Sequence, residues 1–172
     1  MNEKLYAEIF KLKNVIRNGW KIRDVQGRLE SDAEHTFSMI MLSLEIIKKN
    51  KLDLDQLKVI KMIAYHELGE IDVGDITPFD NIPKQQKYDD EYKCIKRLSA
   101  TYNMPEIEEL WLEFERCETK EARFVKKIDR YDAIMQAKMY ETNNQAIKGL
   151  LNEFRNGSIA IAEEFDEYLN EK

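Results

Sequence analysis

Only two histidines occur in the 172 residues, His35 and His66, and both stand in apolar company. On a helix His35 shares its face with Met39, Leu42 and Ile46 at i+4, i+7 and i+11, so it points into packed protein. His66 follows Val59, Met62 and Ile63 and is itself followed by Glu67. Asp129 has Val125 at i−4 and Ala133 at i+4, again an inward stripe. A lone histidine on an apolar face is ordinarily a satisfied core residue, whereas a buried carboxylate without a partner is costly. Two imidazoles and two carboxylates on inward faces of separate helices relieve that cost by sharing a cation. Mixed imidazole and carboxylate ligands suit Mn, Fe, Co, Ni or Zn better than calcium. These residues are far apart in sequence, so spacing leaves open both a shared ion and four separately satisfied polar side chains.

Helices must hold these residues. Leu5, Ile9, Leu12 and Ile16 recur at helical spacing and predict an amphipathic helix over 3–17, ended by Asn18-Gly19. Residues 20–30 read as a polar connection carrying Arg23 and Arg28. Ser31-Asp32-Ala33-Glu34 matches a capping box and opens a helix to about Lys49. Its apolar residues fall on two sides, Phe37, Ile40, Met41 and Leu44 on one and Met39, Leu42 and Ile46 on the other, which predicts a helix buried nearly all round. Asp53 with Gln56 is expected to cap a third helix running to Leu68, with Gly69 as its stop. The Gly- and Pro-containing stretch 70–83 reads as loop or short turns. Further helices are expected over 84–102, from Pro105, over 120–143, and as a last pair over 147–154 and 158–169. The expectation is one all-α domain over residues 1–172, a bundle of six to eight helices.

Composition agrees and excludes some functions. Six Gly and three Pro are too few for a loop-rich β fold, and 43% apolar with 35% charged residues is ordinary for a globular chain. A formal net charge of −6 argues against long nucleic acid as partner, because polyanion binding needs a basic excess. A small phosphorylated metabolite remains compatible, since a few Arg or a bound cation offset a local charge. No apolar run approaches the ~20 residues of a membrane span, and the first residues lack an export signal, so no membrane is expected. Cys94 and Cys117 are isolated and read as reduced thiols in a cytoplasmic protein.

The order His35, then His66-Glu67, then Asp129 resembles the H…HD…D signature of the HD-domain metal-dependent phosphohydrolases. Within them the chain is similar to the 5′-deoxynucleotidases, through the strings RNGWKIRDVQ, ESDAEHTFSM, AYHELGEIDVGDITPFDNIPKQQK, LWLEFE and EARFVKKIDRYDAIMQAKMYE. Together these are collinear with the family over roughly residues 10–145, GDITP and DNIPK being the more specific. The resemblance implies an all-α fold and one divalent cation held by His35, His66, Glu67 and Asp129, its identity open among Mn, Co, Fe, Ni, Zn and Mg. It implies hydrolysis of a nucleoside 5′-monophosphate, with Glu70 and Asp75 handling protons or orienting water and Arg17 and Trp20 holding the nucleotide. It also implies a homodimer. Position 67 departs from the pattern: the family's pair has Asp where this chain has Glu, a stem one methylene longer. Hydrolysis of another phosphorylated nucleotide, or a catalytically silent protein that binds nucleotide or metal, are the alternatives.

Overall fold

Helix α1 (Glu3–Leu12) stops at Leu12 rather than at residue 17, because the backbone beyond it finds partners elsewhere. In the computed structural model, which describes residues 3–169, Ile16 forms an isolated antiparallel bridge with Ser31. The Arg17 N–H donates to the Glu30 carbonyl and the Asp32 N–H to the Val15 carbonyl, each at 3.0 Å. Extended backbone paired in this way cannot also continue a helix. Asn18-Gly19 accordingly starts an element: the five-residue α2 (Asn18–Ile22) lies inside the stretch read as a connection and buries Trp20 against Tyr140 and Phe154.

The capping box of α3 (Asp32–Asn50) is realised, with the Ser31 hydroxyl accepting the Glu34 N–H and the Glu34 carboxylate accepting the Ser31 N–H. Its buried stripe is Asp32, His35, Met39, Ser43, Ile46 and Ile47. Phe37 and Met41 instead face solvent, 65% and 53% exposed, which corrects the expectation of a helix buried all round. Neighbouring helices cover only part of its circumference. Asp55, not Asp53, caps α4 (Gln56–His66) by accepting the Lys58 N–H; Asp53 is exposed and pairs with Lys120. Helix α4 ends at His66, and Gly69 is not its left-handed stop, since its φ is −59°.

Gly69 is needed for space. It precedes the four-residue α5 (Glu70–Val73), and a Cβ there would lie 2.8 Å from the Glu91 Cβ and 3.2 Å from the Glu91 Cα of α6 (Lys84–Tyr102). A 3₁₀ turn at Pro78–Asp80 lies between α5 and α6. Pro105 begins α7 (Pro105–Arg116), and Thr119 caps α8 (Lys120–Thr142). Helices α9 (Leu150–Asn156) and α10 (Ile159–Leu169) complete the described chain. It is all-α, with eight helices of seven residues or more and two shorter ones, and no strand among the described residues. None of the helices is long and apolar enough to cross a membrane.

The main core lies where α3, α4 and α8 meet, around Met39, Ile46, Val59, Met62, Ile63, Val125 and Ile128, with Phe165 of α10 closing it. Each such side chain stabilises the fold by about 1.5–3 kcal/mol. His35, His66 and Asp129 stand on those same three helices, so the packing that stabilises the bundle also fixes their separation. Because Gly69 lets α5 approach α6, Gly69→Ala is expected to destabilise by about 1–3 kcal/mol, the usual range for overpacking, in a denaturant titration. Unchanged stability would mean that α5 and α6 can separate freely.

Candidate metal centre

The four residues singled out by type converge. One ligand atom from each of His35, His66, Glu67 and Asp129 lies within 4.8 Å of the others, and both histidines are buried. His35 Nε2 is 3.1 Å from Asp129 Oδ1 and 3.9 Å from Glu67 Oε1, and His66 Nε2 is 3.3 Å from that same Glu67 oxygen. Glu67 therefore turns into the cluster despite its longer stem, and Arg17 donates to it at 3.0 Å.

The hydrogen bonds behind the histidines decide what faces forward. His66 Nδ1 donates to the Ile63 carbonyl at 2.6 Å, which leaves a lone pair on Nε2; that atom is buried without a partner. His35 Nδ1 is 2.7 Å from the buried Asp132 carboxylate, so the proton between them stays on the imidazole, the stronger base, and Nε2 points forward. A lone pair and two carboxylate oxygens converging on one spot repel one another unless positive charge sits among them. The donor set, two imidazoles and two carboxylates, fits a divalent transition metal or Mg. A second triad, Glu30, His35 and Asp132, also lies within ligand reach. There, however, the Trp20 indole N–H already donates to Glu30 at 2.8 Å and Asp132 takes His35 Nδ1.

Charge balance shows in how strongly each of these groups holds its proton. Burial and the Arg17 cation push the His35 imidazole down, but Asp129 and Asp132 on its two nitrogens overcome both and raise it to about 10. Burial pushes the Asp129 carboxyl up, yet the His35 hydrogen bond and charge bring it down to about 2. Glu67 is likewise held far below its usual range, against burial, by the positive charges of Arg17 and His35 beside it. Burial raises Glu70 well above that range, and the charges of Glu67, Asp32 and Asp75 add to the effect.

Not every expected site residue lies as the sequence suggested. Arg17 and Asp75 line the cavity of about 390 Å³ that opens onto His66, Glu67 and Asp129. Asp75 is fixed by the Asn18 backbone N–H at 2.5 Å. Glu70 is not a solvated loop acid but the buried first residue of α5, with Lys87 3.5 Å away. Trp20 is 2% exposed; it walls a neighbouring cavity and its N–H is engaged by Glu30.

Sequence reasoning missed Asp32 and Asp132. Asp32 is wholly buried, neither of its oxygens has a hydrogen-bond donor, and burial with the Glu67 charge raises its carboxyl to about 7. Its nearest cation is Arg17, at 3.9 Å. A signal was present: Asp32 and Asp132 each stand three positions from His35 and Asp129, respectively. On a helix that spacing puts both side chains on one face.

A family model described as HD domain matches residues 9–168. The 5′-deoxynucleotidase HDDC2 of Dictyostelium discoideum is 38% identical over 148 residues, which cover 79% of this chain and 77% of that protein. The human protein of the same name is 38% identical over 135 residues, 76% of this chain and 63% of its own length. A solved structure of a Pyrococcus horikoshii protein superposes with a TM-score of 0.78 at 30% identity, covering 98% of this chain and 94% of that one.

The carboxylate behind His35 gives a measurable expectation. In Asp132→Asn the amide can donate to Nδ1 and move the ring proton to Nε2, facing the ion. Calorimetric affinity for Mn should fall about 10- to 100-fold, the usual effect of losing a ligand's outer partner. Native affinity in that variant would show that Asp132 does not set the tautomer. In the native protein binding should also displace the His35 proton, so that affinity rises with pH up to about 10 and falls as pH is lowered.

Proposed function

The chain belongs to the HD-domain family, and we propose that it hydrolyses deoxynucleoside 5′-monophosphates to nucleoside and phosphate at the centre just described. It is a metal-dependent phosphohydrolase of the 5′-deoxynucleotidase type. The observation that carries this reading is the unpartnered His66 Nε2 facing Glu67, beside His35 and Asp129, at the floor of a cavity that also holds Arg17. His35, His66, Glu67 and Asp129 would hold one divalent cation. When bound, such an ion acidifies water and withdraws charge from phosphoryl oxygens, the two needs of a reaction that is extremely slow unaided.

The remaining roles fall to the protein's own side chains. Arg17 is held among carboxylates that keep its guanidinium charged, and it neutralises a phosphate entering the cavity. Lys84, Lys87 and Lys126 line the same cavity and draw an anion inward despite the net negative chain. Glu70, whose carboxyl burial and neighbouring acids push upward, is suited to exchange a proton with the attacking water and to direct it. Asp75, braced by the Asn18 N–H, is placed to meet the sugar-side oxygen as the alkoxide leaves. Trp20 supports Arg17 from below through the Glu30 carboxylate that its N–H binds, while Glu30 Oε2 lies 3.9 Å from the Arg17 Nε.

Two free thiols, one of them buried, support a cytoplasmic setting. A homodimer, inferred from family resemblance, would cover the apolar strip of Phe37, Met41 and Met139 on α3 and α8.

Phosphate release from a panel of nucleotides tests the reading, with the protein stripped and refilled with Mn, Co, Fe, Ni, Zn or Mg. Deoxynucleoside 5′-monophosphates should be hydrolysed only when a cation is present; no release with any of the six overturns it. Glu70→Ala and Asp75→Ala should each lower turnover about 100-fold or more while cation binding persists. Full rates in both would remove them from the mechanism. Glu67→Ala should weaken Mn binding in calorimetry, and Glu67→Asp should preserve or strengthen it. An Ala variant that binds like the native protein would show that Glu67 is no ligand.

A further inference from the structure

Helix α5 is four residues long and carries Glu70 at its start, and the segment that follows it carries Asp75. A single helical turn does not hold its own shape in water, so both acids depend on what the rest of the chain does for them. The Gly74 N–H donates to the Glu70 carbonyl at 2.7 Å, and Gly74 then turns the chain away with a φ of 75°, a conformation open to glycine. Beyond the turn, Asn18 grips Asp75 through both its carboxylate and its carbonyl. The other side belongs to α6. There the Lys87 Nζ donates to the Ile76 carbonyl at 2.8 Å and lies 3.5 Å from Glu70 Oε1. Glu91, one turn further along α6, holds the same ammonium at 3.3 Å, and its Cα and Cβ are the surface on which Gly69 packs. One face of α6 therefore meets the residue before Glu70, Glu70 itself and the residue after Asp75.

We propose that Lys87 is a positioning residue: its ammonium, held by Glu91, ties Glu70 and the Ile76 carbonyl to α6 and so sets the Glu70 and Asp75 carboxylates in register with each other. The inference rests on the reading of those two acids as the groups that serve the attacking water and the leaving oxygen. Lysine suits the task, because a compact ammonium with three donors on a flexible stem can meet three oxygens from separate segments. Glu70 Oε2 is buried without a hydrogen-bond partner, so this carboxylate is oriented from its other oxygen, where Lys87 stands. Lys87 lines the cavity as Lys84 and Lys126 do, but its charge is already engaged by oxygens of the protein. A lysine that only attracts phosphate is felt in KM, whereas one that places the reacting groups is felt in kcat.

The test is steady-state hydrolysis of a deoxynucleoside 5′-monophosphate by the native chain and by Lys87→Met, each at saturating Mn. Methionine keeps most of the stem and lacks the ammonium. In Lys87→Met kcat should fall about 10- to 100-fold, the scale of a small misplacement at the reacting centre, while KM changes less than about three-fold. Hydrogen exchange should quicken at the Gly74 amide and stay native along α8. Lys87→Cys alkylated with 2-bromoethylamine rebuilds an ammonium on a stem of lysine length and should recover most of the lost kcat. Native protein given the same reagent is the control for Cys94 and Cys117. Should Lys87→Met fail to fold, Lys87→Gln carries the same comparison. A native kcat in the variant, a raised KM with kcat intact, or a lost kcat that the rebuilt ammonium does not restore overturns the proposal. If the native protein hydrolyses no monophosphate with any cation, the nucleotidase reading fails, and exchange at Gly74 alone decides whether Lys87 braces the segment: faster in Lys87→Met it does, unchanged it does not.

Discussion

Six carboxylates, from Glu30, Asp32, Glu67, Glu70, Asp129 and Asp132, crowd into one region of this bundle against two histidines, Arg17 and, at its edge, Lys87. Uncompensated, that much negative charge in a poorly solvated interior would be prohibitive. The structure answers in three ways. His35 is held charged between two of the acids, Arg17 reaches in from the surface to Glu67, and Glu70 and Asp32 carry raised carboxyl pKa values. A divalent cation would replace the proton on His35 and take up the lone pair of His66. The local arrangement around the centre follows from this one imbalance.

The scaffold meets that demand with rigid parts. His35 is on α3, His66 ends α4 and Asp129 is mid-way along α8, and these helices share the largest core cluster. A ligand position there moves only if Met62, Ile63 or Val125 moves as well. By contrast Arg17 and Asp75 come from short irregular segments, tied to each other through Asn18, whose N–H binds the Asp75 carboxylate and whose side-chain amide binds the Asp75 carbonyl. The bundle holds the groups for the ion, and the irregular segments hold those for the substrate.

Much of this was legible in the sequence. Helical periodicity gave the helices over 32–50, 84–102 and 120–142 nearly to the residue, because strong caps at Ser31 and Thr119 and a Pro at 105 mark local decisions. Residue type and inward stripe made His35, His66, Glu67 and Asp129 candidates, and the resemblance to the HD-domain signature joined them into one ligand set. The failures were of another kind. Ile16 continues a helical pattern but is drawn into a bridge with Ser31, a pairing across the chain that no local window contains. Phe37 and Met41 look like core by composition, and only the arrangement of neighbouring helices shows that they are not. Asp32 entered only as part of a capping box and Asp132 was not singled out, although their three-residue spacing from His35 and Asp129 put them on the ligand face.

The pairing of Ile16 with Ser31 closes residues 17–30 into a short ring that carries Arg17, α2 and Arg23. None of the four candidate ion ligands lies inside it. The ring is nonetheless tied to the ligand-bearing helices, through Arg17 on Glu67 and through Glu30, whose N–H donates to the Tyr140 hydroxyl of α8. Within the ring, Trp20 and Val25 pack into a core cluster with Tyr140 of α8, so the segment that carries Arg17 is held by the bundle it serves. A shift of that segment would therefore be felt at once by the substrate-facing Arg17 and by the packing around Tyr140.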